Sequence, residues 1–253
     1  MNRRCVERWW WLAGAAVLLG ALCLVLPAVA EVSSESGAGT YKIIKAGLDF
    51  LDETFAAPGV HFQELRMSPI VRWENGYELP LEVGVMALGE HLAPLLKKIQ
   101  EFRFAEARLV NRALAVSVSA ERVDGGPLLV VTLNQALVVG EPAGRPHVDA
   151  WNRRLIRVWE ALAKATGFEP LVKERKAVTE PGRETWITNV RVDSDGRLQL
   201  TGYALSFKGA TALGESLYKT GAVREVFLTA LHRNTYEKVP VWRFDLVAVA
   251  AEP

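Results

Sequence analysis

Hydrophobic and polar positions along the chain follow one order twice. After an uncharged stretch at residues 9–29, apolar residues recur at helical spacing and then alternate with polar residues through two strands. The same series follows again, running from about Tyr41 to Val139 and then from about Val148 to Ala250. The pattern predicts two consecutive units with the order helix, strand, strand, helix, strand, strand.

The helical spacing and the strand alternation are both clear in each unit. In the first, a helical face is formed by Ile44, Leu48, Leu51 and Phe55, and a strand face by Leu79, Leu81, Val83 and Val85. In the second, Leu155, Trp159 and Leu162 share a helical face, and residues 193–196 (DSDG) separate two alternating strands. Residues 140–146 (GEPAGRP) are rich in Gly and Pro and predict a boundary between the units.

We therefore expect an α+β protein with two tandem ferredoxin-like (αββαββ) domains, at residues 41–140 and 147–253. Each domain would have its own four-stranded antiparallel sheet, with two helices on one face and the other face open for contacts. In the second domain we expect Gly196 in a turn that needs a positive φ. Gly202 would lie in the following strand, where a missing side chain permits close approach of a helix or a bulge.

The apolar stretch at residues 9–29 is long enough to span a membrane, since 21 residues in a helix cover about 31 Å. Arg3, Arg4 and Arg8 precede it and Glu31 follows it, which places the N-terminus in the cytoplasm and the body outside. The alternative is a signal peptide cleaved after Ala30, because residues 27–30 (PAVA) end in a small-x-small pattern. Residues 1–30 are thus a signal anchor or a signal peptide, and residues 31–40 a flexible tether.

Charge and cysteine content narrow the function classes. The net charge of the 253 residues is +1, and a near-neutral body gives no electrostatic reason to expect nucleic-acid binding. Both cysteines, Cys5 and Cys23, lie in the leader, so the body can form neither a disulfide nor a thiolate metal site.

No pattern in the chain indicates catalysis or metal binding. The histidines His61, His91, His147 and His232 are scattered, and residues 193–196 lack the distal Glu of a calcium loop, so a hairpin turn is the better interpretation. Residues 213–217 (LGESL) lack the glycines of a nucleophile elbow, and residues 37–39 (GAG) have no phosphate-binding continuation. Basic residues Lys173, Arg175 and Lys176 are expected in a solvated loop, with lipid headgroup contact as the weaker option. Core packing is expected for most of Trp151, Trp159, Trp186 and Trp242. We expect a protein that is not an enzyme, with no catalytic, cofactor-binding or metal-binding residues.

The second unit resembles the periplasmic domains of the PilN and PilO families, which align type IV pili at the inner membrane, and of GspL and GspM of type II secretion. The resemblance is carried by residues 186–190 (WITNV), 196–206 (GRLQLTGYALS), Leu217, 221–226 (GAVREV) and 244–246 (FDL). The first unit is similar to a PilO-type domain through residues 59–62 (GVHF) and 79–83 (LPLEV).

This resemblance implies a single-pass protein of the bacterial inner membrane with a periplasmic body. Its partners would be other pilus or secretion assembly proteins, in a homodimer or a heterodimer, and its role that of a scaffold. The chain departs from the family in having two such units and only eight residues before Trp9, which favours an accessory or divergent member. The competing hypothesis is a soluble periplasmic or secreted binding module released by cleavage after Ala30. An enzyme on a ferredoxin-like frame has no support beyond the versatility of the fold.

Overall fold

The computed structural model describes residues 34–74, 76–123, 126–140, 148–179 and 183–252. The leader at residues 9–29, its cleavage site and most of the predicted linker lie outside these ranges. Among the described residues, no helix is both long enough and apolar enough to cross a membrane.

The described elements repeat the predicted order. The first half comprises α1 (Ser34–Phe55), β1 (Val60–Met67), β2 (Val71–Trp73), β3 (Gly76–Leu88), α2 (Gly89–Gln100), β4 (Arg103–Phe104), β5 (Ala107–Val123) and β6 (Gly126–Val139). The second half comprises α3 (Val148–Ala165), β7 (Val172–Lys173), β8 (Lys176–Ala177), β9 (Thr185–Val192), β10 (Arg197–Ala204), α4 (Phe207–Lys219), β11 (Val223–Tyr236) and β12 (Val239–Ala250).

The predicted tether is helical for most of its length. Helix α1 begins at Ser34, so only the first three residues of the stretch at 31–40 precede it. Glycines at 37 and 39 did not prevent this, since one Gly inside a helix costs only about 1 kcal/mol relative to Ala. The packed face further along α1, with Ile44, Leu48 and Leu51 all buried, offsets that cost.

The long strands form one antiparallel sheet that runs through both halves. Its order is β1-β3-β6-β5-β9-β10-β12-β11, with β2 added to β3 and β4 added to β5. The expectation of two separate sheets is therefore wrong. Within each half the four long strands keep one order, first, second, fourth, third, so the third long strand of the first half lies beside the first of the second half.

The two halves join where β5 pairs with β9. Four residue pairs connect these strands, from Leu114 opposite Val192 to Ser117 opposite Asn189. A strand at the edge of an isolated sheet leaves a row of N–H and C=O groups unpaired, and pairing two such edges satisfies both. We refer to this pairing as the seam. Whether residues 41–140 and 147–253 also fold as separate domains stays a prediction.

Helix α3 packs on β5 and makes a buried polar contact with it near the seam. The side-chain oxygen of Asn152 accepts a hydrogen bond of 2.9 Å from the backbone N–H of Asn111, at a bulge in β5. Gln135 on β6 donates to the Asn111 side chain at 3.0 Å, and all three residues are buried. The contact ties the first helix of the second half to two strands of the first half.

One hydrophobic core extends under all four described helices. It contains Leu48 from α1, Leu96 from α2, Trp159 from α3 and Leu213 from α4, together with the alternate strand residues that face them. Because the helices share one side of the sheet, the residues between these strand positions form a helix-free face.

Gly202 lies at a bulge, one of the two reasons predicted for a glycine there, and the three atoms nearest to an added Cβ belong to strands rather than to a helix. A Cβ atom at this position would lie 2.3 Å from the Trp186 carbonyl oxygen and 2.8 Å from Cζ of Phe244, at a bulge between β10 and β9. Gly196 lies in the predicted turn with a φ of 85°. Both expectations for this hairpin are confirmed.

We predict that Gly202→Ala lowers the free energy of unfolding by about 1–3 kcal/mol, because the added methyl group must displace backbone. Gly39→Ala is the control. Gly39 is exposed on α1 with nothing within 4 Å of the added Cβ, so this change should stabilise by up to about 1 kcal/mol. Urea denaturation measures both, and equal stability of Gly202→Ala and the parent would show that the bulge relaxes freely.

Asn152→Leu is predicted to cost about 1–3 kcal/mol, because it leaves the buried Asn111 N–H without its acceptor. Arg153→Ala, one residue along on the exposed face of α3, should change stability by less than about 0.5 kcal/mol. If the two variants unfold at the same urea concentration, the polar contact at the seam contributes nothing.

Tyr77 makes stability depend on alkaline pH. Burial raises the pKa of its phenol above the ordinary value of about 10, and nearby Thr40 and Arg72 oppose this only in part. A folded-state pKa above the unfolded one gives stability that is present below pH 10 and is lost as pH rises further. Tyr77→Phe should flatten the fall in melting temperature above pH 10, whereas Tyr218→Phe, at an exposed tyrosine, should not. If the melting temperature falls equally in both variants, groups other than Tyr77 cause the fall.

Candidate functional site

The histidines are not brought together. His61 on β1 and His232 on β11 are exposed, while His91 on α2 lies 3.6 Å from Glu90 and beside Gly59. His147 lies outside the described residues. In the described ranges, no three His, Cys, Asp or Glu side chains lie close enough together to hold a metal ion.

Residues 193–196 form the hairpin turn between β9 and β10. The N–H of Asp193 donates to the Arg197 carbonyl at 2.9 Å, and the N–H of Gly196 donates to the Asp193 carbonyl at 3.0 Å. The Asp193 carboxylate accepts from Nε of Arg191 at 2.7 Å, which raises the pKa of that guanidinium. The Asp193 carboxylate therefore already has an arginine partner within the hairpin.

The remaining motif residues have structural surroundings. Trp159 is buried and stacks on Phe168 at 5.6 Å, while Trp186 is buried against Tyr203 and Tyr236. Trp242 is half-buried against Phe207. Residues 213–217 lie in α4 and residues 37–39 in α1. The side chain of Trp151 lies outside what the structure describes.

The basic cluster expected in a solvated loop forms the small hairpin β7–β8. Lys173 pairs with Glu169 at 2.8 Å, and the hairpin turns at Glu174 and Arg175, which both have a positive φ. Its base, Leu171 and Val172, packs on Trp186 together with Val241. This hairpin covers one end of the helix-free face of the second half.

An open groove occupies the other end of that face. It has a volume of about 500 Å³ and combines two arginines, one carboxylate and an apolar floor. Phe227 is 54% exposed there, whereas Val247 and Val249 are half-buried between the core residues of β12. The lining residues are Asp195, Arg197, Arg224, Phe227, Thr229, Val247 and Val249. The groove offers an apolar contact framed by charges, a combination suited to binding another protein.

The groove continues onto the outermost strand of the sheet. Within the described residues, β11 pairs with β12 alone, over its full length and through two bulges. Bulges and charged side chains restrict uncontrolled pairing at such an edge. Past the second bulge, the pairing is regular from Ala230 to Tyr236.

The two-residue turn at Glu237 and Lys238 sets which backbone groups of this segment point outward. Tyr236 and Val239 flank the turn and pair with each other, so the N–H of Tyr236 points toward β12. The backbone N–H and C=O groups of alternate residues then point away from β12, namely those of Leu231, Arg233 and Thr235. The Thr235 N–H already donates to the side-chain oxygen of Asn234 at 2.7 Å. The backbone groups of Leu231 and Arg233 are therefore the ones that an incoming strand could pair with.

Sequence patterns located β11 as a strand but did not show that it is an edge. The cue available was its weak alternation, since polar residues occupy both faces of β11. Strand alternation alone does not separate a central strand from an edge.

Comparison with known proteins concerns the second half of the chain. Residues 178–250 match the family model of the fimbrial assembly protein PilN. This confirms the resemblance drawn from residues 186–206 and 221–246. The matched segment contains β9, β10, α4, β11 and β12, and so the groove and the free edge. No curated protein and no solved structure gives a significant match to the chain.

Proposed function

We propose that the protein is a non-enzymatic scaffold component of the machinery that assembles a type IV pilus or a type II secretion system. The observation that carries the proposal is the PilN match over residues 178–250. Its partners would be other assembly proteins of the same inner-membrane complex, in a homodimer or a heterodimer.

Each half is further proposed to be a ferredoxin-like unit in permuted order. The support is the strand order first, second, fourth, third, which occurs in both halves. In each half the connection from the second to the third long strand passes through a helix, and the fourth long strand lies between them. This is the arrangement obtained when a split βαβ fold begins at its first helix.

Partner docking is proposed at the edge formed by β11. The opposite edge of the PilN-like segment is β9, and β5 of the same chain already occupies it. Among the described strands of this segment, β11 is the edge with the longest unpaired run, and there Leu231 and Arg233 offer backbone groups to an added strand. The groove beside Phe227 would receive side chains of the same partner.

The location proposed is the bacterial inner membrane, with residues 9–29 as a single span and the body in the periplasm. The small-x-small pattern at residues 28–30 supports the alternative, in which cleavage after Ala30 releases a soluble binding module. Mass spectrometry of the mature N-terminus decides between them, since a start at Glu31 removes the span.

The docking proposal predicts different effects of two substitutions at one position. Arg233→Pro removes an outward N–H without removing a β11–β12 hydrogen bond, and proline is accepted on edge strands. We expect roughly fivefold to tenfold less partner recovered after cross-linking in native membranes, as the loss of about 1 kcal/mol implies. Arg233→Ala keeps the N–H and should retain most of the capture.

The partner has to be identified by mass spectrometry as a pilus or secretion component, such as the secretin or the assembly ATPase. Circular dichroism melting of both variants shows whether β11 remains folded. If the proline variant melts normally and captures as much partner as the alanine variant, the edge is not the docking site. Failure to recover any assembly component with the unaltered protein would remove the scaffold proposal itself.

A further inference from the structure

The end of the first half at which α1 begins can be located from residue contacts. Thr40 of α1 lies beside Tyr77, and Tyr77 is paired with Val139 at one end of the sheet. Helix α1 then runs toward the other end, where Phe55 contacts Phe62 with ring centres 6.0 Å apart. We call the Tyr77 end of the first half the tip. It includes β2, β4 and the turns that follow them, since Trp73 pairs with Gly76 and Phe104 with Ala107.

Large apolar side chains are exposed at the tip. Val71 on β2 is 51% exposed, Phe104 on β4 is 43% exposed and Tyr41 on α1 is 37% exposed. The other exposed large apolar residues of the described chain, Phe207, Tyr218, Phe227 and Leu228, all lie in the second half. These three side chains lie on three different elements, α1, β2 and β4, at the same end of the first half.

Helix α1 begins at Ser34, six residues or about 9 Å of helix before Thr40 at this tip. Residues 9–29 are uncharged and apolar, and only residues 30–33 separate them from Ser34. Five residue steps span at most about 18 Å even when fully extended. If residues 9–29 span a bilayer, the start of α1 is held within that distance of the hydrocarbon layer. The lipid headgroups take up about 5–7 Å of that distance.

Charge does not oppose an approach of the tip to lipid. Its exposed charged residues are balanced, with Lys42, Arg72 and Arg103 against Glu74, Glu101 and Glu106. Contact would therefore depend on the apolar side chains, which favour the interfacial layer, rather than on anionic lipid.

The basic hairpin β7–β8 lies at the opposite end of the sheet. Its base packs on Trp186 and Tyr236, and β9 begins at that end and runs back toward Val192, near Leu114. The lipid contact considered for Lys173, Arg175 and Lys176 from the sequence is thus unfavourable while α1 begins at the membrane.

We propose that the tip, through Tyr41, Val71 and Phe104, rests in the headgroup layer of the phospholipid bilayer that holds residues 9–29. This rests on the membrane span in the proposed function. The contact of the tip with the headgroup layer sets the orientation of the body, with the strands of the first half directed away from the membrane. The end that includes Glu90 would then lie about 37 Å further out, the length of the eleven steps from Tyr77 to Leu88.

The test uses the full chain in phosphatidylcholine vesicles, with Cys5 and Cys23 replaced by alanine. The described body has no cysteine of its own, so Glu106→Cys at the tip and Glu90→Cys at the far end each carry one fluorophore. Both are exposed glutamates of the first half. Nitroxide attached to lipid headgroups should quench the label at 106 at least about fivefold more than the label at 90, given their separation of roughly 37 Å.

A second pair of variants tests the apolar contacts. Val71→Ser combined with Phe104→Ser should reduce quenching at 106 at least about twofold, because the interfacial anchors are removed. Phe207→Ser, at a 56% exposed phenylalanine of the second half, should leave it unchanged. Vesicles with added anionic lipid should give the same order of quenching among these variants.

Equal quenching at 106 and 90 with the protein retained on the vesicles would overturn the proposal and leave the scaffold function intact. Unchanged quenching at 106 in the serine double variant would overturn the role of Val71 and Phe104. A protein that does not stay with the vesicles would overturn the span and the tip contact together, while partner capture through β11 would still be measurable.

Discussion

The pairing of β5 with β9 is the contact on which the rest of the arrangement depends. It joins two four-stranded halves into one sheet, and α3 of the second half packs on β5 of the first. Each half alone would leave two strand edges unpaired. Because the seam joins one edge of each half, β1 and β11 are the outermost of the long described strands.

Under the proposed function, this constraint would give the two halves different tasks. The PilN-like segment pairs one edge with its own chain, and the proposed docking uses its other edge and the adjoining groove. The first half supplies the strand that pairs with the first of these edges and lies next to the chain that leads to residues 9–29. If residues 9–29 span a membrane as proposed, the first half would lie near it and the second half would face partners.

The seam is also where polar groups enter the core. Asn111, Gln135 and Asn152 are buried side by side, although apolar residues would avoid the cost of taking amides out of water. Their value is directional, because the Asn152 oxygen meets one particular N–H at a bulge in β5. A purely apolar contact would let α3 slide along the sheet, whereas this hydrogen bond favours one position.

Local patterns in the sequence were sufficient for the identity and order of the elements. Leu79, Leu81, Val83 and Val85 alternate because they face helices, and Ile44, Leu48 and Leu51 recur because one side of α1 is buried. Gly196 and Gly202 marked a turn and a bulge, since in both places the backbone geometry excludes a side chain. The motif residues of the second half were likewise enough to indicate its relation to PilN.

The seam, the free edge and the tip were decided only by the tertiary structure. A strand with one dry face shows the same alternation whether its edge is paired with a neighbour or open to water, so nothing in β5 or β9 indicated that they would meet. The helical start of the tether depended on packing further along α1, which local propensity does not include. The sequence by itself determined which segments are helices and strands, because that depends on side-chain periodicity. Which edges meet depends on backbone groups that every residue carries alike.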